Sequence, residues 1–436
     1  MKIAIIGSGI SGLTSAWYLH NEHDVTLFEA GETLGGHTAT VDVEVDSGRY
    51  AIDTGFIVFN DRTYPNFERL LEEIGIGRQK TQMSFSVRND SKDLEYNGHT
   101  ISTLFAQKRN WFSLSFYRFL FEIMRFNKLA KQAVYDDVAL EGTLGDFLSR
   151  YGFSQALEED YILPMGAAIW SSTLNDMRAF PLAFFLRFFL NHGLLDIKDR
   201  PQWYVVPGGS REYIRRMEPQ LKADIHLNTP VQGVTRLGLG EGKEVKVVAG
   251  GVEHFFDTVI FACHSDQALA MLSDPTALEL DILSAMPYQE NEVVLHTDDT
   301  ILPTRREAWA SWNYHMSGGD EGDNPTTLTY NMNILQGIDA PETFCVSLNS
   351  SDRIAADKIL NIFHYSHPVF NTESVAAQQR RGEINGIQQT YFCGAYWYNG
   401  FHEDGVRSAL DVVKQIRNET QSVAIDSPLK LVSGVA

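Results

Sequence analysis

The chain has 436 residues, 44% of them apolar and 21% charged, enough to bury a large core and too apolar for long disorder. Its 56 acidic and 36 basic side chains leave a net charge of −20, which argues against a nucleic-acid backbone as partner, because such binding rests on Lys and Arg. Three cysteines without a CxxC pair and thirteen histidines without metal-ligand spacing predict neither a disulfide framework nor a metal site. No apolar run is long enough to span a bilayer.

Met1–Ile6 begins like the apolar part of a signal peptide, but Gly7, Gly9 and Gly12 interrupt it. We read residues 2–6 as a buried parallel strand in a cytoplasmic protein. Gly7-Ser8-Gly9-Ile10-Ser11-Gly12 follows, then a helix over Leu13–His20 and a strand over Asp24–Glu29, whose acid stands 17 residues after Gly12. In this strand–turn–helix–strand setting the first glycine permits a tight turn, the second lets backbone approach a pyrophosphate, and the third lets helix and strand pack closely. The helix N-terminus offers N–H groups to phosphate, and Glu29, followed by Ala30, would accept from ribose hydroxyls. The motif alone does not separate FAD from NAD. Gly35-Gly36-His37-Thr38 can bring a second backbone segment to the cofactor, and Asp53-Thr54-Gly55-Phe56-Ile57 ends another strand pair. Residues 81–199 read as mostly helical. Within them, 108–131 sets Lys108, Arg109, Arg118, Arg125, Lys128 and Lys131 against Glu122 among seven aromatic residues. This stretch suits a membrane interface or a core helix pair lining an acyl tunnel, and the alternatives stay open. Residues 180–195 are aromatic as well, too short to span a bilayer but able to line an apolar tunnel. Residues 291–377 alternate like strands (293–296, 327–330, 344–348), interrupted by a polar loop over 317–325. Near the end, Phe392-Cys393-Gly394-Ala395 closes a strand. His402-Glu403-Asp404-Gly405-Val406 opens a helix to about Ile416, whose N-terminus can stabilise charge on a flavin's pyrimidine edge. From 419 to 436 we expect a loosely held tail.

With these segments in place, the chain resembles the superfamily of flavin-containing amine oxidases, phytoene desaturases and protoporphyrinogen oxidases, over about 415 residues. It is most similar to a bacterial subgroup of FAD-binding proteins whose genes accompany cyclopropane-fatty-acid-synthase-like enzymes. The matching pieces are LGGHT (34–38), DTGFIVFN (53–60), AIWSS (168–172), VPGGSREY (206–213), ACHSDQAL (262–269), SWNY (311–314), YSHPVF (365–370) and GFHEDGV (400–406). The resemblance implies an α/β fold: a discontinuous Rossmann-like FAD-binding domain (1–80, 200–290 and 378–418), with an α+β substrate domain made by two insertions (81–199 and 291–377). It implies non-covalent FAD held by the glycine fingerprint, the GG and DTGF segments, Gly394-Ala395 and Asp404-Gly405-Val406. Val231 would meet the adenine through its backbone, and 258–263 forms a late Rossmann strand. Three departures stand out, one of them the short carboxy-terminal loop between Gly394 and Gly405. His37 replaces the usual arginine that contacts the pyrophosphate. The segment 290–296, best counterpart of the strand that bears a flavin-linked lysine in amine oxidases, has no lysine.

The resemblance therefore implies hydride transfer to flavin N5 from a methylated or unsaturated fatty acyl chain, with an apolar or phospholipid substrate and an unassigned electron acceptor. Candidate catalytic groups are His402, Tyr398 and His296, with His37 also considered. Tyr396-Trp397-Tyr398 would form an aromatic wall or a core cluster. Competing readings are an amine oxidase and a non-catalytic flavin-fold escort; an NAD dehydrogenase is disfavoured because nothing marks a nicotinamide site. The expected location is the cytoplasm, with the inner membrane face as the peripheral alternative.

Overall fold

The computed structural model describes residues 1–136, 140–238, 244–318 and 326–426. The chain divides into two units, one of Met1–Gly36, Gln220–Ser284 and Gln378 onward, the other of His37–Pro219 and Ala285–Ala377. The sequence placed the corresponding breaks at 80/81, 199/200, 290/291 and 377/378.

The first unit is built on a five-stranded sheet in the order Ala223–His226, Asp24–Phe28, Lys2–Ile6, Thr258–Phe261, Thr390–Phe392, every pair parallel. Parallel strands covered on both faces need near-continuous apolar runs, and Ile3, Ala4, Ile5, Val259, Ile260 and Phe261 are fully closed from solvent. Ile5 pairs with Leu27 on one side and Ile260 on the other. The helix Ile10–Leu19 is buried along most of its length, as expected of a helix without a polar face, and packs against the last helix, His402–Asp426. That last helix passes the end expected at Ile416. No Gly or Pro stands between Ile416 and Asp426 to stop it, so residues 419–426 of the expected tail are helical, and 427–436 lie outside the described residues. A three-stranded antiparallel sheet, Val231–Leu237, Glu244–Ala249 and Val252–Phe256, completes this unit's strands.

The second unit carries a seven-stranded sheet in the order Ile359–Pro368, Tyr288–His296, Cys345–Leu348, Leu328–Asn331, Trp312–Met316, Phe85–Asn89, Leu94–Asn97. Its pairs are antiparallel except Trp312–Met316 with Phe85–Asn89, where the early and late segments of the unit join. Of the expected 317–325 loop, 319–325 lie outside the described residues. The helices Leu114–Tyr135, Leu144–Arg150, Leu163–Trp170 and Leu182–Asn191 form its helical part. The aromatic stretch 180–195 fills that interior: Phe185 stacks on Phe189 at 4.0 Å and Trp170 packs on Phe180 at 4.6 Å. No helix among the described residues is long and apolar enough to cross a membrane.

Candidate functional site

In the first unit the glycine turn shows which constraints the protein itself imposes. Gly7 has φ +99°, and a Cβ there would lie 2.9 Å from the Ala262 carbonyl oxygen. A Cβ on Gly12 would lie 1.9 Å from the Gly7 carbonyl oxygen, so helix and turn meet only with glycine present. Gly9 is different: it has ordinary φ −61°, and a Cβ there would meet nothing within 4 Å. No protein atom requires that glycine. An approaching ligand would, which is what a pyrophosphate cradle needs. Gly9 caps the helix Ile10–Leu19 without any side-chain hydrogen bond, leaving its first N–H groups for an anion. Gly35 donates its amide to the Ser8 carbonyl (3.1 Å) and hydroxyl (3.2 Å). A Cβ on Gly36 would sit 3.1 Å from Gly9 Cα, so the GG segment lies on the cradle.

Glu29 ends the second strand as expected. One carboxylate oxygen accepts from the Ser8 amide (2.9 Å) and hydroxyl (2.5 Å), the other from the Gly31 amide (2.7 Å). Thr229 donates its amide to the Glu29 carbonyl (2.8 Å), which brings the segment entering Val231 beside Glu29 and Ala30.

The start of the last helix joins the same place. A Cβ on Gly405 would lie 2.6 Å from Ile10 Cγ2, and Ser11 donates its hydroxyl to the Gly405 carbonyl at 3.0 Å. Ser408 donates to that carbonyl and accepts from the Gly394 amide, both at 2.9 Å. Two helix N-termini and the Gly394-Ala395 turn thus converge, with Val406 fully buried behind them. Asp404 accepts from the Phe401 amide at 2.9 Å. Burial pushes its carboxyl up to about 7, with the neighbouring Glu403 charge acting in the same direction.

The second unit holds the other predicted segments. The His37 carbonyl accepts from the Phe56 amide at 2.9 Å, and a Cβ on Gly55 would come within 2.1 Å of that carbonyl. The GGHT and DTGF segments therefore lie against each other at the glycine, with Phe56 and Ile57 buried behind. Thr38 and Tyr213 share a hydroxyl hydrogen bond of 2.6 Å. His37 ends a chain of four polar side chains from distant segments, and the other three, Asn349, Asn291 and His367, were not foreseen as site residues. The Glu292 amide donates to Asn349 Oδ1 (3.1 Å), so Asn349 Nδ2 must be the donor to Asn291 Oδ1 (3.0 Å). Asn291 Nδ2 then faces His367 Nδ1 (3.2 Å) as donor, and His367 Nε2 faces His37 Nε2 (3.4 Å). The amide orientations leave His367 as the Nε2–H tautomer, its proton directed at His37, and place the His37 proton on Nδ1. Tyr365 sets its ring edge against His37 with centroids 4.9 Å apart and shares a hydrogen bond with the Thr54 hydroxyl at 3.0 Å. The signal available beforehand was the period-two spacing of Tyr365 and His367 within YSHPVF, which puts both on one strand face.

The expected catalytic residues fall in different settings. His296 is fully buried: Nδ1 accepts from the Asp298 amide (3.1 Å), Nε2 pairs with the Ser347 hydroxyl (2.8 Å), and burial lowers its pKa to about 4. Both nitrogens are committed to the sheet, which leaves no lone pair for a substrate proton. Tyr398 donates its hydroxyl to Asp411 at 2.6 Å, and burial followed by that carboxylate raises its pKa. Arg381 bonds the same Asp411 at 3.0 Å, so the pair ties the turn to the last helix. Tyr396 and Trp397 are buried and pack on each other at 4.9 Å, a core cluster. His402 is buried at the helix start.

A parallel sheet whose first turn is a ligand-spaced glycine cradle, joined by a second helix start, defines a dinucleotide-binding oxidoreductase. The chain belongs to the flavin containing amine oxidoreductase family, which matches residues 10–342. It is an FAD-dependent enzyme of that family, and the open space over Gly9, the uncapped helix and the acid at Glu29 fit the ADP half of FAD. No curated protein sequence matches the chain. Among solved structures it is similar to a protein from an Exiguobacterium species proposed to be a protoporphyrinogen oxidase (TM-score 0.68, 18% identity, 96% of this chain and 99% of that one). It is similar also to the CLA-producing fatty acid isomerase of P. acnes (0.68, 13%, 95% and 98%) and to cyclohexylamine oxidase of Brevibacterium oxydans (0.68, 13%, 96% and 99%).

Proposed function

We propose that this enzyme oxidises or desaturates a methylated or unsaturated fatty acyl chain by hydride transfer to flavin N5. The observation that carries the reading is the strand Tyr288–His296. Where amine oxidases bear a lysine, it has none, and the side chain that reaches His37, through His367, is the fully buried Asn291 amide. An amide does not titrate near neutral pH, so this wall neither deprotonates an ammonium group nor competes with it. It suits an uncharged chain. A fatty acid isomerase among the structural neighbours is compatible with such a substrate; cyclohexylamine oxidase marks the competing amine reading.

In this reading Gly7–Gly12 and Gly35-Gly36 hold the pyrophosphate, Glu29 takes the ribose, and Val231 lies at the adenine. Bound FAD supplies the two-electron acceptor. The Gly405 helix start supplies positive potential beside it. The Tyr398 hydroxyl is engaged by Asp411, and His402, buried at the start of the last helix, is the group we assign to take the proton that leaves the neighbouring carbon. His37, held as an Nδ1–H donor, takes over the anion contact of the family's arginine. The test is anaerobic bleaching of the visible flavin band. Bleaching by phospholipid with methylated or unsaturated chains, and not by primary or secondary amines, supports acyl oxidation. Bleaching by amines alone refutes it.

A further inference from the structure

The aromatic, basic stretch after residue 107 splits by helix face. On the helix Leu114–Tyr135, Phe116, Phe119, Phe126 and Ala130 are buried. The opposite face, at spacings of three and four, presents Leu114 (88% exposed), Tyr117, Phe121 (61%) and Met124, interleaved with Arg118, Arg125 and Lys128. At its N-terminal end the turn Lys108–Phe112 adds Phe112, 93% exposed. This tip is not slack. Trp111 stacks on Phe105 at 4.0 Å and its carbonyl accepts from the Tyr117 hydroxyl at 3.2 Å. Large apolar side chains held rigidly in water mark an interaction surface.

Charge identifies what the surface meets. Across 108–131 the only acid is Glu122, and it is buried against the Ser154 hydroxyl on the other face. Arg109 pairs with Asp93 and Lys131 with Asp196, both at 2.5 Å. Arg125 is half-buried, donates to the Tyr151 carbonyl at 2.5 Å and lies over the Phe153 ring at 4.6 Å. Lys108, Arg118 and Lys128 are exposed and have no carboxylate partner among the described residues. A chain of net charge −20 is repelled overall by an anionic surface, so attachment to one needs a local basic face such as this. Pairing two copies symmetrically through it would set the same cations against each other. Apolar tips among cations are the pattern of a helix lying in a bilayer interface.

We propose that this face, from Phe112 to Lys128, docks the enzyme on an anionic phospholipid bilayer, Phe112, Leu114 and Phe121 entering the interface and Arg118 and Lys128 meeting the headgroups. The docking goes beyond the substrate reading and stands or falls without it, because it is read by location and not by flavin bleaching. The experiment floats the full-length, FAD-loaded enzyme with vesicles of phosphatidylglycerol and phosphatidylcholine, and with phosphatidylcholine alone. The enzyme is expected to float with the anionic vesicles only and to be released by added salt, as screening predicts. Phe112→Ser with Leu114→Ser is expected to weaken binding at least about ten-fold. Arg118→Gln with Lys128→Gln should weaken it about twenty-five-fold, or five-fold per charge. Both variants alter exposed side chains and should keep wild-type flavin absorbance and melting temperature. Failure to float at low salt, or equal flotation of the variants, overturns the proposal. So does a lipid-free, concentration-dependent dimer that Phe112→Ser with Leu114→Ser abolishes, which would assign the face to a second copy.

Discussion

Asp53 sits at the end of the strand Gly48–Asp53, closed from solvent. One carboxylate oxygen, Oδ1, accepts from the Thr40 hydroxyl (2.6 Å), the Ser210 amide (2.8 Å) and the Ser210 hydroxyl (2.9 Å), while Oδ2 is buried without a partner. Burial pushes the carboxyl up from 3.8 to about 6, against the downward pull of those donors. Between these two values the folded chain holds a proton that the unfolded chain has released, so rising pH favours unfolding. The gap is worth about 3 kcal/mol in all, of which about 2 falls between roughly pH 4.5 and 7.5. Asp53→Asn keeps the acceptor at Oδ1 and places an amide N–H₂ where Oδ2 has no partner, costing about 1–3 kcal/mol at every pH. Whatever the size of that constant cost, the variant should therefore gain about 2 kcal/mol of stability relative to wild type between pH 4.5 and pH 7.5. The assay is urea unfolding of both proteins at the two pH values with FAD at one concentration. The raised Asp404 contributes equally to both and cancels from the comparison. Parallel stability–pH curves would refute the reasoning, because they would mean that Asp53 ionises like an exposed carboxylate.

Asn291→Asp replaces the donor facing His367 Nδ1 with an acceptor. Histidine ¹⁵N spectra of the holoenzyme should then show His367 as Nδ1–H and His37 as Nε2–H, and unchanged tautomers would break the assigned chain. Gly12→Ala places a methyl where the Gly7 carbonyl stands 1.9 Å away. FAD affinity measured by fluorescence quenching on apoprotein should fall at least about ten-fold, in line with losing one or more charge-assisted contacts, and wild-type affinity would show that the turn yields freely. Arg236 forms a buried ion pair with Glu279 at 2.5 Å, their side chains 5% and 2% exposed. Arg236→Met leaves that buried carboxylate only the Thr276 amide and hydroxyl and should cost about 3 kcal/mol in chemical denaturation; a loss below about 1 kcal/mol would mean that the Thr276 donors or water suffice to hold the charge.

What could be read in advance follows the range of each constraint. Gly7, Gly9 and Gly12 act within six residues, and the apolar runs at 2–6 and 258–261 carry the parallel sheet, so cradle and sheet were legible. The His37–His367–Asn291–Asn349 chain joins residues up to 330 positions apart, and no spacing rule reaches that far. His296 and Tyr398 looked like candidate catalytic groups because their chemistry is visible in a sequence. What engages them, the Ser347 hydroxyl and Asp298 amide for one and Asp411 for the other, is set by strand pairing and helix packing. The basic aromatic stretch was ambiguous for another reason. Both faces of Leu114–Tyr135 carry large apolar side chains, so periodicity gives little contrast between inside and outside. Only burial separates Phe119 at 6% from Phe121 at 61%.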